Sequence, residues 1–191
     1  MKIGLLGGSF DPIHLGHLIL AEEIKGKLSL DRVIFIPANI TPHKQDKNFL
    51  PSSMRFKMVK WAISGNNSFL VSDLEIKRGG ISYSIDTVKY FRQKYQQDEL
   101  FFIVGSDAVA YLNDWRDIDE IYKIAKFVMA ARPGYDFKDI DKRIIQVYIN
   151  GLDISAFEIR ERLKSNLSIR YLVPDKVRNF IIKKRLYAKE N

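Results

Sequence analysis

Cysteine is absent from this chain of 191 residues. That excludes disulfides, thiolate metal ligands and a cysteine nucleophile, and it fits a reducing compartment. Long hydrophobic runs are absent as well. No segment approaches the ~20 apolar residues a membrane span requires. The run Ile3–Leu6 is too short for the core of a signal peptide, so the expectation is a soluble, cytoplasmic protein. Acidic side chains are the minority, 23 against 31 Lys and Arg, for a net charge of +8. A cationic surplus attracts anions: nucleic acid, acidic lipid or a phosphorylated small molecule. Histidine occurs three times, and two of the three stand together in His14-Leu15-Gly16-His17.

What is present is ordinary for a globular protein, 46% hydrophobic and 28% charged. The length suits a single domain over 1–191, with a small helical portion from about residue 155, burying roughly two-thirds of its unfolded surface. Apolar runs alternate with helical spacing. KIGLLG, RVIFIPAN, FLVSDLEI, ELFFIVGSD (ending in a Gly turn), FVMAARP and IIQVYI read as strands. Helices are expected from about His17 to Leu28, over Met54–Ile63 with Ser52 or Ser53 as N-cap, and from Ser84 or Ile85. Two short helices are expected at Ala108–Leu112 and Asp117–Ile124, and two more in AFEIRERLK and PDKVRNFIIKK. The last is a basic stretch with an amphipathic seam of Val177, Phe180, Ile181 and Leu186. It reads as a helix with a solvated basic face or as a nucleic-acid patch. Strands alternating with helices mean βαβ units, hence an α/β fold with a doubly wound parallel sheet.

Such sheets bind ligands beyond the carboxyl ends of their strands, near the point where strand order reverses. The junctions after Leu6, Ile36 and Val104 therefore matter most. The first is GGSFDPIHLGH. Gly7-Gly8 allows close approach to the backbone and tolerates positive φ. The following helix would point its N-terminal amides at an anion. Neither GxGxxG nor GxxxxGK[ST] is present, so the dinucleotide fingerprint and the P-loop are both excluded. His14 and His17 can instead donate two N–H groups to one phosphate, with Gly16 removing a side chain that would crowd it. A metal pair, for which there is no HExxH glutamate and no other histidine but His43, and two merely structural histidines are the alternatives.

GGSFDPIHLGHL resembles the signature of the nucleotidylyltransferase superfamily, G-[GST]-[ST]-F-D-P-x-H-x-G-H. The superfamily's His-x-Gly-His element is shared with phosphopantetheine adenylyltransferase, cytidylyltransferases and class I aminoacyl-tRNA synthetases. The synthetases need more chain than this for their tRNA-binding parts. PAN-I-TPHK, Arg78–Val88, FIVGSD, YLNDW, ARPG, ISAFEIRERL and YLVPDKV together are similar to bacterial nicotinate-nucleotide adenylyltransferases, in order over nearly the whole chain. The resemblance implies a Rossmann-like fold and the reaction of ATP with nicotinate mononucleotide. The products would be nicotinate adenine dinucleotide and pyrophosphate, with Mg²⁺ accompanying ATP. A phosphate monoester is already an anionic nucleophile, so alignment and charge stabilisation suffice, without a covalent intermediate.

On the same resemblance, His14, His17, Lys44 and Arg160 act on the phosphates, with Ser155 at the start of the Arg160 helix. Gly7, Gly8, Ser9 and Phe10 also contact ATP. Gly105 and Asp107 meet its adenosine, although Asp107 also reads as a helix N-cap. Tyr83, Ser84 and Trp115 hold the nicotinate portion. The partners implied are these two small molecules, without nucleic acid or membrane; a homo-oligomer stays open. An enzyme preferring the amide mononucleotide, or a basic nucleic-acid-binding module, are the alternatives. The chain departs from the family's S-[ST]-T-x-I-R at Ala156 and Phe157, and carries Ser84 and Thr41 where threonine and proline are common.

Overall fold

The computed structural model describes residues 1–42, 49–131, 140–150 and 152–188. Six strands form one sheet: β1 (Lys2–Gly8), β2 (Arg32–Pro37), β3 (Phe69–Val71), β4 (Glu99–Gly105), β5 (Lys126–Ala131) and β6 (Ile144–Tyr148). Every pairing is parallel, in the order β3-β2-β1-β4-β5-β6. Strand order reverses between β1 and β4, so the doubly wound expectation holds and the loops after these two strands share one crevice.

Alternation within each strand builds two cores. On one face lie Leu6, Val33, Phe35, Phe101, Ile103, Val128 and Ala130. They are covered by α1 (Leu15–Leu28), α2 (Ser52–Ala62), α6 (Ala156–Lys164) and α7 (Asp175–Lys183), through Ala21, Ile24, Met58, Val59, Ile159, Val177 and Ile181. On the other face lie Ile3, Leu5, Ile34, Leu100, Phe102, Phe127 and Met129. They are covered by α4 (Ser84–Lys94), α5 (Ile118–Ile124) and a 3₁₀ helix (Ser106–Asp114). A parallel strand buried on both sides must be apolar throughout, which is why ELFFIVG carries no alternation of polarity. The helices need only a stripe, and α4 supplies it with Ile85, Val88 and Phe91.

Several element boundaries differ from the sequence reading. FLVSDLEI is a strand only to Val71, and α3 (Leu74–Arg78) follows. The Ser72 hydroxyl accepts from the Leu74 amide at 3.3 Å, and Lys77 pairs with Asp73 at 3.1 Å, so local bonds outcompete an edge-strand ladder. Helix α1 starts at Leu15, ahead of His17. Helix α2 is preceded by Pro51, because the Ser52 hydroxyl donates to Asn39 Oδ1 at 3.1 Å and does not cap. The short helix expected at Ala108–Leu112 is the longer 3₁₀ segment, whose N-cap is Gly105, so Asp107 is not a cap.

The C-terminal basic stretch resolves into an amphipathic helix. Val177 and Ile181 of α7 are buried and Phe180 packs on Trp61 of α2, while Lys176, Lys183 and Lys184 face solvent.

Candidate active site

Beyond β1 the chain turns through Ser9–Ile13 before entering α1. Phe10 has φ 47°, and its ring is buried against Phe35 (5.8 Å between centroids) and edge-on to His17 (5.0 Å). The left-handed residue of this turn is thus Phe10. Neither Gly7 nor Gly8 has a positive φ, so the freedom a glycine pair tolerates is not drawn on here. Gly8 serves another purpose: a Cβ there would meet the Phe10 ring at 3.1 Å. With its side chain inside, Phe10 can offer a ligand only its backbone.

His14 caps α1 with an extended backbone, and His17 sits one turn on. Their rings lie 3.7 Å apart and 33° from parallel. The His14 backbone N–H donates to His17 Nδ1 at 3.3 Å. A neutral ring whose Nδ1 accepts carries its proton on Nε2, so His17 presents Nε2–H as a donor. Gly16 proves to make room for His14 itself. A Cβ there would lie 3.0 Å from His14 Nδ1 and 3.4 Å from the Ile154 carbonyl oxygen, so any side chain at this position would press on the His14 ring. The helix N-terminus is also less open than expected, because the Leu15 amide donates to the Leu172 carbonyl at 2.9 Å. Side chains must therefore carry more of any anion binding.

Two arginines brace this loop, one from α6 and one from α2. From α6, Arg160 donates through Nη1 to the Asp11 carbonyl at 2.6 Å. From α2, the buried Arg55 donates to the carbonyls of Ser9 (2.6 Å), Asn39 (2.9 Å) and Leu50 (2.9 Å), joining the loops after β1 and β2. Burial lowers its pKa, countered by the negative charge of Asp11. Asp11 is itself 1% exposed, and its carboxylate accepts from the Tyr187 hydroxyl at 2.6 Å. Arg55, Asp11 and Tyr187 were not expected as site residues. Asp11 stood in the quoted signature; Arg55 and Tyr187 gave no signal, since their partners are remote in sequence.

Ser155 caps α6, its hydroxyl oxygen accepting from the Glu158 amide at 3.1 Å. Of the two departures in this stretch, Phe157 is exposed and takes no part in the core. Lys44, with His43, lies outside the described residues, as do Arg132–Gly134 of ARPG. Gly105 ends β4, across the switch point from β1. Asp107 lies in the first turn of the 3₁₀ helix, and its side chain is outside what the structure describes.

Further along, Tyr83 caps α4 and Ser84 is its first residue. The Arg116 guanidinium lies 5.0 Å from the Tyr83 ring centroid, which sets a cation beside the helix N-terminus. The preceding segment is fixed by polar bonds. Ser82 Oγ accepts from the Asn39 amide at 2.9 Å, Ser82 N–H donates to the Ile40 carbonyl, and Asn39 Nδ2 donates to Gly80. Below it, the buried Glu75 accepts from Thr87 at 2.6 Å, and burial raises its pKa. Trp115 packs edge-on against Phe102 and Phe127, both centroids 6.0 Å away. Its remaining surface lines a cavity of about 460 Å³ with Asp117, Ile118, Asp119, Glu120 and Lys123.

The structure therefore brings His14, His17, Arg160, Ser9 and Phe10 together at the switch point. Tyr83, Ser84 and Trp115 lie on the sheet's other face, with α4 and the end of the 3₁₀ helix. A parallel sheet in this order, with the loops after β1 and β4 meeting at the switch point and a histidine pair at the β1–α1 turn, defines a doubly wound α/β protein of the Rossmann-like class. The chain matches the cytidylyltransferase-like family over residues 5–162. A probable nicotinate-nucleotide adenylyltransferase of Clostridium novyi is 42% identical over 97% of this chain and 98% of its own length. The nicotinate-nucleotide adenylyltransferase of Bacillus subtilis is 39% identical over 97% and 98%. The fold is also that of the Plasmodium falciparum nicotinic acid mononucleotide adenylyltransferase complexed with NaAD, with a TM-score of 0.81, 21% identity and 97% of both chains covered. At this identity and coverage, the chain belongs to the nicotinate-nucleotide adenylyltransferase family.

Proposed function

We propose that the protein transfers the adenylyl group of ATP to nicotinate mononucleotide, giving nicotinate adenine dinucleotide and pyrophosphate in NAD biosynthesis. The observation that carries this reading is the pair of imidazoles, 3.7 Å apart at the β1–α1 turn. They share that turn with the Arg160 guanidinium, which bonds the Asp11 carbonyl.

The phosphate oxygen of the mononucleotide attacks the α-phosphorus, and the bond to the bridging oxygen breaks as pyrophosphate leaves. No protein nucleophile is required. His14 and His17 supply donors where charge develops on the phosphoryl oxygens, and Arg160 stabilises the departing pyrophosphate with a planar guanidinium. Lys44 adds a second cation from the loop after β2, and Ser155 a hydroxyl. Ser9, together with the backbone of Gly7, Gly8 and Phe10, lines the triphosphate. Gly105 and Asp107 take the adenosine. The α4 N-terminus at Tyr83 and Ser84 takes the nicotinate carboxylate, with Trp115 against the ring. The amides of that terminus and the nearby Arg116 support the acid over the amide substrate.

Among the described residues no three His, Cys, Asp or Glu side chains group to hold a metal. The carboxylate of the turn, Asp11, is buried and bonded to Tyr187. Mg²⁺ belongs to this reading as the companion of ATP, where it would neutralise phosphate charge. The +8 charge serves phosphorylated substrates in the cytoplasm, not nucleic acid. No helix among the described residues is long and apolar enough to cross a membrane.

Pyrophosphate release from ATP, measured with nicotinate mononucleotide and then with its amide, tests the reading. Release that requires the acid substrate is expected. Equal kcat/KM for the two would remove the acid preference. No release, with salt-dependent RNA or DNA binding at micromolar affinity, would replace the enzyme by a binding module.

A further inference from the structure

The C-terminal portion touches the β1–α1 turn at three separate atoms. The Leu172 carbonyl accepts from the Leu15 amide, Arg160 donates to the Asp11 carbonyl, and the Tyr187 hydroxyl donates to the Asp11 carboxylate. The third bond stands apart. It spans 176 residues, joins the last described turn of the chain to the turn after the first strand, and ends on a carboxylate that is 1% exposed. Asp11 has no task in the chemistry derived above, and it is too enclosed to meet a phosphate. Its surroundings are the Arg160 and Arg55 guanidiniums, the Leu50 backbone N–H and Tyr187.

We propose that Tyr187 is a positioning residue for adenylyl transfer, holding through Asp11 the turn that carries His14 and His17 and the guanidinium of Arg160. The carboxylate is the common anchor: its own residue's carbonyl receives Arg160, and the chain three residues on reaches His14. A turn free to shift by a fraction of an ångström would misplace the donors relative to the developing charge, with little effect on how substrates first bind. Tyr187 adopts φ 62°, in the left-handed region, two residues after Arg185 at φ 51°.

The proposal rests on the nucleotidyl-transfer reading, and one set of assays separates the two. Wild-type protein that releases no pyrophosphate would sink that reading. With wild-type turnover established, Tyr187→Phe keeps the ring and removes only the hydroxyl. We expect kcat to fall about tenfold or more, the scale of one hydrogen bond to a charged group. Both KM values should stay within about a factor of two.

A structural role alone would not move the pH profile. Burial pushes the Asp11 carboxyl up, while the hydroxyl opposes that rise. Without the hydroxyl the carboxyl protonates more readily, so the acid limb of kcat shifts to higher pH. Asp11→Asn keeps an oxygen for Tyr187 but cannot ionise, so that limb should vanish, and adding Tyr187→Phe should cost no further shift. Wild-type kcat and an unmoved limb in Tyr187→Phe would overturn the proposal. So would a rate loss matched by an equal loss of folded protein. If Tyr187→Phe does not fold, an unchanged acid limb in Asp11→Asn overturns it equally.

Discussion

His17 can donate from one defined atom because His14's backbone occupies the other. Replacing His17 with alanine removes that donor at a site of developing charge, where single donors are typically worth ~10²–10³ in rate. The measurement is kcat for pyrophosphate release, and a loss under about threefold would take His17 out of the chemistry. Asparagine, which can still donate, should recover part of the loss. Arg55 makes the complementary case, a charged residue whose work is internal. Its guanidinium satisfies three carbonyls from two loops. Arg55→Ala should lower unfolding free energy by about 3 kcal/mol or more, since buried carbonyls lose their donors. Denaturant titration measures this, and a change under about 1 kcal/mol would show that water replaces the guanidinium.

At the scale of elements, α1 sets two effects against each other. Alanine in place of a helical glycine usually gains about 0.5–1 kcal/mol from propensity alone. At Gly16 the added Cβ would stand 3.0 Å from the His14 ring and 3.4 Å from the Ile154 carbonyl oxygen. Gly16→Ala is therefore expected to leave stability nearly unchanged while kcat falls, because the ring is displaced from its partner. A more stable, fully active variant would contradict the packing. Helix α4 depends on burial. Phe91, 1% exposed, anchors it to the sheet, and Phe91→Ala should cost about 3–5 kcal/mol by thermal or denaturant unfolding. A loss below about 1 kcal/mol would mean that α4 is held by its polar bonds alone.

For the molecule as a whole, the buried carboxyl groups set a pH dependence. Burial raises the pKa of Glu75 in the folded state, although Thr87 and Ser82 donate to it. The folded protein then holds that proton over a pH range in which the unfolded chain has released it. Stability from this group is present at low pH and falls as pH rises from the ordinary carboxyl range through the raised value. Glu75→Gln should flatten that part of the stability profile, followed by urea unfolding across pH. An unchanged slope would place the dependence elsewhere.

The sequence determined the alternation of strands and helices, the parallel sheet and its ligand edge, because burial on two faces demands apolar runs and short βα turns demand local signals. It also marked His14, His17 and Arg160 through two motifs, each confined to a few consecutive residues. The tertiary structure decided what local patterns cannot encode. Arg55 reads as a surface cation until α2 packs beside the loops after β1 and β2. Tyr187 reads as a tail residue until α7 docks and brings it to a carboxylate 176 positions earlier. Gly16 reads as space for a ligand until the His14 ring fills it. Each of these depends on atoms that only the folded chain brings within hydrogen-bond or van der Waals distance, and such proximity leaves no periodicity behind.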